Sequence, residues 1–560
     1  MKSFQKIQLK KSYALMALLG LLFVNINLYA QRKATGANIN PATIMKTPKK
    51  LPLSFRSFRG MPASYSLEKY CPTPGDQGNH GTCVAFANAY GVGTILYAKT
   101  HDITDKSIID KYAFSATYLY EQIKNEGDND CQNGSDPITA LRTMNENGDA
   151  FQSAVPYSCN YTITDDIKQT ASLYKIDDYS ILFAQPGMLT TDLFVLSEEE
   201  AISSTKKAIL EGSPVSCAFF LPETFYRITS EVWTTDPAID TPSDWKHSGH
   251  AMTVVGYDDD KFGGAFRVLN SWGTGWADGG FVWMRYKDYT QWCAVALQPF
   301  ADPFTPVPEE KRKEAPAPTP DPSPEPVPDP KPQPDPEPAP QPSPEPEHLD
   351  EVKFSLSGNV EFMLNTGTAM PVSKISTRNL VVENDMSGEK EELVAYRMNE
   401  TYSSGTKFRF YISTDEDCYI YAFATDLTGK VNRILPFDDL MSTHIGSNSV
   451  VAFPSDSKVV KMDDQKGTDY LLILYSKEKL NAAEIANKMS SMNGGLSKKI
   501  LQALGNKLID KSEITYDINQ VGFSVNKTST RNLMVSDDED NDNSSYTGTV
   551  VPLMIELSHN

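Results

Sequence analysis

The sequence contains QGNHGTCVAF at residues 77–86, and this stretch determines how the first half of the chain folds. A polar, glycine-containing turn runs straight into the apolar run Val84 to Leu96, which predicts a buried helix. Cys83 is therefore expected at a helix N-terminus, where backbone N–H groups and the helix dipole favour a thiolate over a thiol. A thiolate is a nucleophile, but it needs a base and an oxyanion site before it can carry out catalysis.

Three further side chains supply the groups that such a thiolate needs. His250 begins an apolar strand in the segment SGHAMTVVGY and is the candidate base. Asn270, in LNSWGTGW, carries an amide that can hydrogen-bond an imidazole and fix its tautomer. Gln77 offers amide N–H groups to an oxyanion, together with the backbone N–H of Cys83. Each element alone is a weak signal, but the four occur together, each within its own motif.

These motifs resemble those of the papain-like family of cysteine peptidases over residues 61–300. The chain has Gln-Gly-x-x-Gly-x-Cys-x-Ala-Phe, His-Ala-x-x-x-Val-Gly-Tyr and Asn-Ser-Trp-Gly-x-Gly-Trp in the family's order. The resemblance implies an α+β fold of two lobes, one helical and one like a β-barrel. It implies Cys83 as the nucleophile and His250 as the general base and acid. It also implies that Asn270 orients the imidazole and that Gln77 donates to the oxyanion.

The same resemblance implies substrate-binding positions, and it implies neither a metal nor a cofactor. Trp272 would shield the His–Asn contact and border the leaving-group side. The segment CQNG, which ends at Gly134, is similar to the family's Cys-x-Gly-Gly and would place Gly134 against the substrate backbone. The segment PVS at 214–216 resembles a strand of the second lobe and would place Ala218 near the wall of the main specificity pocket.

The sequence departs from the family at two positions beside the nucleophile. His80 stands where the family usually has a cysteine, so the disulfide from that position to Cys131 is absent or rewired. Cys71 and Cys159 are both candidate partners for Cys131. Seven cysteines is an odd number, which leaves at least one thiol unpaired within the chain. The pairing stays open among five cysteines: Cys71, Cys131, Cys159, Cys217 and Cys293. The second departure is Val84, which replaces the family's usual Trp.

Composition and length restrict the kind of protein. A chain of 560 residues has room for two or three domains, and a net charge of −20 argues against nucleic acid or an anionic membrane surface as a partner. Residues 1–30 combine basic residues with an apolar run too short to span a bilayer, which predicts a signal peptide cleaved before Gln31. No other membrane span is predicted. We expect an exported protein that is periplasmic, bound at the cell surface or secreted.

Residues 31–60 carry seven basic residues and no acidic one, in contrast to the rest of the chain. Two interpretations stay open for this arm. It is a disordered basic segment left by export, or it is a short pro-segment that lies over an acidic surface. The long inhibitory prodomain typical of the family is not found upstream of residue 61.

Residues 301–349 are predicted to be a linker, since every second residue from Pro316 to Pro346 is proline. Such a segment is extended polyproline II and would span roughly 95 Å. Residues 350–560 form a second unit with strand patterns and a predicted helical pair around Gly494-Gly495. Part of it, 396–476, resembles a β-rich domain of unknown function from bacterial exported and signalling proteins, which implies a sandwich-like fold. The acidic run 537–542 is a calcium loop or, as we favour, a solvated acidic loop.

Three functional hypotheses follow from these residues. The leading one is an exported cysteine peptidase that acts on peptide or protein substrates, with residues 350–560 binding a cell-surface or protein partner. A transglutaminase-like acyl transferase uses a similar thiol–imidazole pair but usually orients its His with an Asp, whereas this chain supplies Asn270. The third is a surface binding protein with a vestigial peptidase fold, which gives no physical reason to keep all four site residues.

Overall fold

The structure is a computed structural model in which eight stretches of the chain are described. They are residues 33–186, 196–241, 249–302, 305–308, 351–375, 393–425, 430–530 and 548–560. The predicted signal peptide, most of the proline-rich linker and the acidic run 537–542 lie outside them. The chain divides into two compact units, Met1–Thr47 with Pro62–Thr305 and Pro48–Met61 with Pro306–Asn560.

The first unit has a helical part built around the helix that begins at Cys83. This helix runs as Cys83–Ala85, then as a π-helical segment Phe86–Gly93, then as Thr94–Thr100, and its residues up to Ala98 are buried. It is apolar on all sides because other elements surround it. The other α-helices in the described part of the unit are Pro41–Lys46, Lys106–Lys111, Ala116–Ile123, Pro137–Asn147, Asp165–Ala171, Glu198–Leu210 and Tyr286–Trp292.

A largely antiparallel sheet forms the other part of the first unit. Its neighbouring strands are, in spatial order, Ile176–Ala184, Cys293–Ala301, Val215–Phe220, Gly249–Asp258, Ala265–Leu269, Phe281–Arg285 and Val232–Trp233. Ser64–Ser66 pairs with the end of Gly249–Asp258. Nearly every residue of the central strands is buried, because helices and loops cover both faces. The predicted α+β architecture of helices followed by strands is confirmed.

Local signals in the sequence account for several element ends. Ser197 and Glu200 form the predicted capping box, in which each side chain bonds the other residue's backbone N–H, and the helix ends at Leu210 ahead of Gly212. Asp136 caps the helix Pro137–Asn147, whose first residue is proline and which ends at Gly148. These caps fix the ends of helices that support the site.

The second unit is mainly β, as predicted. One sheet has the order Ser449–Phe453, Lys407–Thr414, Glu351–Leu364, Val521–Thr530 and Thr515–Tyr516, with Val460–Lys461 also paired to Lys407–Thr414. The other has the order Val372–Lys374, Val394–Met398, Val550–His559, Gly467–Ser476, Cys418–Thr425 and Val431–Leu435, with His444–Ile445 paired to Cys418–Thr425. Tyr475 joins the two sheets, since its ring contacts Gly358 and Phe523 of the first sheet. The predicted helical pair is present as Ala482–Ser490 and Leu496–Leu504, packed on the second sheet.

Residues 48–61 of the basic arm are part of this second unit. Lys49–Lys50 pairs in parallel with Met441–Ser442. The following residues lie along Ser449–Phe453, where the Ser54 N–H donates to the Val450 carbonyl at 2.8 Å. Arg56 forms an ion pair with Glu361 at 2.6 Å. The arm of residues 31–60 is therefore divided between the two units.

Among the helices of the described residues, none combines the length and apolar character that a membrane crossing requires.

Candidate active site

Cys83 is the first residue of its helix and is fully buried. Its Sγ accepts a hydrogen bond from the backbone N–H of Ala251 at 3.5 Å. Burial raises the pKa of the Cys83 thiol to about 11, although the N–H groups of Ala251, Gly36 and Val84 act in the opposite direction. The thiolate expected from the helix N-terminus is thus disfavoured in this state, because desolvation outweighs the hydrogen bonds and the helix dipole.

His250 and Asn270 are brought together by neighbouring strands. The Asn270 Oδ1 lies 2.8 Å from the His250 Nε2 and 2.8 Å from the backbone N–H of Ser271. The N–H of Ser271 fixes this oxygen as an acceptor, so the His250 Nε2 carries the proton and donates. The His250 Nδ1 is then an acceptor, and it has no hydrogen-bond partner among the described residues. Burial lowers the pKa of His250 to about 4, and the bond to Asn270 opposes the shift.

The amide of Gln77 is held at both ends. Its Oε1 accepts from the Ser271 hydroxyl at 2.5 Å, and its Nε2 donates to the His80 carbonyl at 2.8 Å. The other N–H of the Nε2 donates to the Ala34 carbonyl at 3.3 Å. Gln77 is fully buried, so this geometry is fixed by the protein and not by solvent.

Trp272 covers the imidazole. Its ring stacks on His250, with a centroid distance of 4.8 Å and an interplanar angle of 30°. Phe225 and Trp276 contact the same indole from the side. The predicted shielding of the His–Asn contact is consistent with this position, because the stacked ring excludes water from the imidazole.

Residues 33–38 of the arm lie against these groups and are called the strap. The Ala37 N–H donates to the Gly249 carbonyl at 2.9 Å, and the Ser135 N–H donates to the Gly36 carbonyl at 2.9 Å. A β-carbon on Gly36 would lie 2.0 Å from the Gly81 carbonyl oxygen, so only glycine allows this close approach. The N–H of Gly36 also points to the Cys83 thiol. The strap therefore covers the nucleophile.

The other end of the strap lies on the indole side. The Ala34 carbonyl accepts from the Trp272 Nε1 at 3.2 Å as well as from Gln77. The strap thus runs from Trp272, past Cys83, to the loop at Gly134. A substrate bound in the predicted way has its leaving-group side at Trp272 and its N-terminal side at Gly134. The strap runs in the opposite direction to such a substrate.

The remaining predicted positions lie close to these groups. Gly134 has a positive φ of 69°, and a β-carbon there would lie 2.2 Å from the Gly36 carbonyl, so it approaches the strap backbone as it was expected to approach a substrate. Ala218 is fully buried and pairs with Ala251, the residue after His250. Its place in a specificity pocket stays a prediction.

A comparison with models of protein families matches residues 65–302 to the papain family of cysteine proteases. Residues 65–302 are a papain-family cysteine protease domain. A second match, over residues 401–479, is to a domain of unknown function, DUF4384.

Two relatives of the papain-family domain share just over a quarter of their aligned residues with it. Cathepsin L of Sarcophaga peregrina is 28% identical over 224 residues, which are 40% of this chain and 57% of that protein. A peptidase C1-like protein of Acanthamoeba polyphaga mimivirus is 27% identical over 218 residues, 38% of this chain and 64% of that protein. The chain therefore spans less than two thirds of the length of these relatives. Xylellain, a cysteine protease from Xylella fastidiosa with a solved structure, matches 49% of this chain and 99% of its own at 18% identity, with a TM-score of 0.38.

The disulfide of the papain-family domain is rewired. Cys131 is bonded to Cys159, one of the two partners left open by the sequence, and Cys71 is free and buried. His80, in place of the usual cysteine, instead lies 3.1 Å from the Tyr157 hydroxyl through its Nδ1. His80 thus has a structural contact and is not placed as a second base.

Sequence reasoning missed two contributors to this site. Ser271 orients Gln77, but a serine carries no recognisable signal. Tyr157 contacts the turn before Cys83 from 75 residues away in the chain. The strap, in contrast, belongs to the basic arm, for which a pro-segment was one of the two interpretations left open. Within the described residues, no group of three or more His, Cys, Asp or Glu side chains is arranged to hold a metal ion.

Proposed function

We propose that this protein hydrolyses peptide bonds through a thioester formed on Cys83. The observation that carries the proposal is the arrangement of His250, whose Nε2 is held by Asn270 and whose Nδ1 is an acceptor on the strand that contacts the thiol. Such a ring can take a proton from a thiol and deliver it to a leaving group.

The steps follow from these positions. The Sγ of Cys83 attacks the scissile carbonyl carbon while its proton moves to the His250 Nδ1. The carbonyl oxygen becomes an oxyanion, which accepts hydrogen bonds from the Gln77 amide and the Cys83 N–H. His250 then gives its proton to the leaving amine, and the C–N bond breaks to leave a thioester. Water, deprotonated by His250, attacks the thioester and releases the acid and the free thiol.

Peptide and protein substrates are favoured over acyl transfer to an amine. The transglutaminase-like alternative usually orients its His with a carboxylate, and here an amide occupies that position. The vestigial alternative predicts no reaction at Cys83. Covalent labelling by an epoxide-type inhibitor of thiol proteases, followed by mass analysis, separates an active thiol from a vestigial one.

The test of the nucleophile uses two buried free cysteines. Cys83→Ala should abolish hydrolysis of a peptide library, and Cys71→Ala, the matched control, should leave the rate within about twofold of the parent because Cys71 lies outside the site. Hydrolysis by the Cys83→Ala protein at the parent rate would refute the assignment. Products in which a peptide is joined to an added amine, with no hydrolysis, would favour the acyl-transfer alternative.

We also propose that the strap keeps the enzyme latent. The protonation states of Cys83 and His250 support this, because burial of the closed site disfavours both the charged thiolate and the charged imidazolium. Because the strap runs in the opposite direction to a substrate, its own peptide bonds are not aligned for attack by the Cys83 thiol. The basic arm is then a pro-segment, as one of its two interpretations holds.

The strap has a direct test in Gly36→Val. The new side chain would collide with the Gly81 carbonyl, so the strap should leave the cleft and the initial rate on a short peptide should rise at least tenfold. Gly275→Ala is the matched control, since Gly275 has open space around its β-carbon position. A Gly36→Val protein that is no faster than the parent would show that the strap does not limit activity.

Export and partner binding complete the proposal. Export rests on the signal-peptide pattern of residues 1–30, and N-terminal sequencing of the mature protein should begin at Gln31. A binding role for residues 350–560 is supported by a cavity of about 200 Å³ in that unit, with a phenylalanine-rich lining that includes Phe362, Phe410 and Phe453. Phe410→Ala should slow hydrolysis of the partner protein and leave hydrolysis of short peptides unchanged.

A further inference from the structure

The turn that carries both proposed oxyanion donors is held by a single phenol group. The Tyr157 hydroxyl lies 2.8 Å from the Gln77 carbonyl, 3.1 Å from the His80 Nδ1 and 2.9 Å from the Thr82 Oγ1. These three contacts cover the turn from Gln77 to the residue before Cys83. Among the described residues, no other side chain is hydrogen-bonded to all three of these residues.

The direction of each hydrogen bond follows from the number of protons available. A phenol has one O–H, and the Gln77 carbonyl can only accept, so Tyr157 donates to Gln77. The phenol oxygen must then accept from the other two groups. The His80 Nδ1 therefore carries a proton, and the Thr82 hydroxyl donates as well. All three hydrogen bonds of the Tyr157 oxygen are thereby assigned.

This hub controls the side chain of Gln77 as well as its backbone. The Gln77 Nε2 donates to the carbonyl of His80, and the ring of His80 is fixed by Tyr157. The carbonyl of Gln77 itself accepts from Tyr157. Rotation of the amide away from the oxyanion position would require one of these bonds to break. The phenol thus constrains the Gln77 amide both through His80 and through the Gln77 backbone.

Tyr157 is itself tied to the loop that faces it. It lies two residues before Cys159, whose disulfide to Cys131 anchors the segment. The ring packs edge-on against Phe86 at 4.9 Å, within the helix that begins at Cys83. The Gly81 N–H donates to the Cys131 carbonyl at 2.7 Å, so the turn and the disulfide are also in contact. The phenol is therefore a fixed support and not a free side chain.

We propose that Tyr157 is the positioning residue of the oxyanion site, acting on the proposed peptidase reaction by fixing Gln77. In this chain the hydrogen bonds of the Tyr157 phenol, and not a covalent bond, connect the turn to the neighbouring loop. The Cys131–Cys159 disulfide anchors that loop. The Tyr157 hydroxyl is not hydrogen-bonded to Cys83. Its effect on the reaction passes through Gln77.

The test is a double-mutant cycle of Tyr157→Phe and Gln77→Ala, with Gly36→Val present throughout so that the cleft is open. Tyr157→Phe keeps the ring against Phe86 and removes only the hydroxyl. It should lower kcat about tenfold, as the loss of a positioning hydrogen bond does, and change KM by less than about twofold. In the Gln77→Ala background the same substitution should cost nothing further, because the amide that it positions is gone.

Two controls separate positioning from a general loss of packing. Tyr257→Phe removes a buried hydroxyl that donates to the Pro62 carbonyl at 3.1 Å, away from the turn, and should leave kcat unchanged. His80→Asn places an amide N–H where the Nδ1–H of His80 lies and should retain kcat, whereas His80→Phe, which has no donor, should lose it. The His80 pair gives the same readout if Tyr157→Phe fails to fold.

The outcomes distinguish this inference from the proposed function. An equal fall in kcat from Tyr157→Phe on both backgrounds would overturn the inference, since the phenol would then act independently of Gln77. A parent-like kcat for Tyr157→Phe would overturn it too, provided that Gln77→Ala is slow. If Gln77→Ala itself keeps the parent kcat, the oxyanion assignment of the proposed function is what fails.

Discussion

At the scale of single residues, the geometry of the site depends on the hydrogen-bond partner of each donor. The Gln77 amide, the proposed oxyanion donor, donates to the Ala34 carbonyl of the strap, and His250 is held to a single tautomer by Asn270. Loss of one oxyanion donor costs about 10²–10³ in kcat, so Gln77→Ala should fall in that range. His250→Ala should be more severe, because it removes both proton transfers. Steady-state kinetics on one peptide measures both values.

The matched control for the amide is Gln185→Ala. The Gln185 Nε2 donates to backbone carbonyls at Thr290 and Cys293, outside the site, so its loss should leave kcat unchanged. A larger fall in kcat for Gln77→Ala than for His250→Ala would contradict the two roles.

The sequence predicted the four candidate site residues but not Ser271 and Tyr157, which hold Gln77 in place. Cys83, His250, Asn270 and Gln77 lie in motifs whose residue types are demanded by the reaction, and the structure brings all four together. Tyr157 holds the turn by hydrogen bonds of its hydroxyl, whereas in many folds a tyrosine serves only for packing. Its role depends on a hydrogen-bond geometry that spacing along the chain does not encode.

At the scale of elements, the proposed latency of the strap predicts a dependence of activity on pH. His250 under the strap has a pKa of about 4, below its ordinary value of 6.5, so the closed state binds a proton less well than an open imidazole does. The closed state keeps its full advantage above about pH 6.5 and loses it as the pH falls towards 4. Acid should therefore open the strap.

The measurement is the ratio of initial rates between Gly36→Val and the parent, taken from pH 7.5 to pH 4.5. The ratio should be large at pH 7.5 and approach one at pH 4.5, because the parent opens while the variant is already open. A ratio that stays constant over this range would show that protonation of His250 is not linked to the strap.

Elements with local signals were predicted from the sequence, and elements set by tertiary contacts were not. The capping box at Ser197 and the helix at Cys83 were predicted, because caps and apolar runs are local features. The π-helical segment Phe86–Gly93 was missed, since its buried residues read as an ordinary apolar helix. The strand Ile176–Ala184 was also missed, because consecutive buried residues at its end replace the alternation typical of strands.

At the scale of the whole molecule, the arm belongs to two folding units. Residues 33–47 lie in the unit of the papain-family domain, and residues 48–61 lie in the second unit. Deletion of 31–47 should leave the thermal transition of the second unit unchanged. Deletion of 31–60 should lower it by about 5 °C or more, since each kcal/mol lost moves the transition of a domain of this size by about 2–4 °C.

Calorimetry of the full-length chain checks this pair of deletions. Arg56→Ala, which removes the ion pair with Glu361 and the contact with the Tyr411 ring, should produce a smaller shift in the same transition. Equal transitions for the two deletions would mean that residues 48–61 contribute nothing to the stability of the second unit.

The position of the disulfide means that the proposed peptidase activity needs one reduced cysteine and one oxidised pair at the same time. The Cys83 thiol must be reduced in order to react, whereas Cys131 must stay oxidised with Cys159 to anchor the segment that carries Tyr157. Activity plotted against the concentration of an added dithiol should therefore rise, pass through a maximum and fall. In a Cys131→Ala, Cys159→Ala double variant the falling limb should disappear, which leaves a curve that rises to a plateau below the parent's maximum.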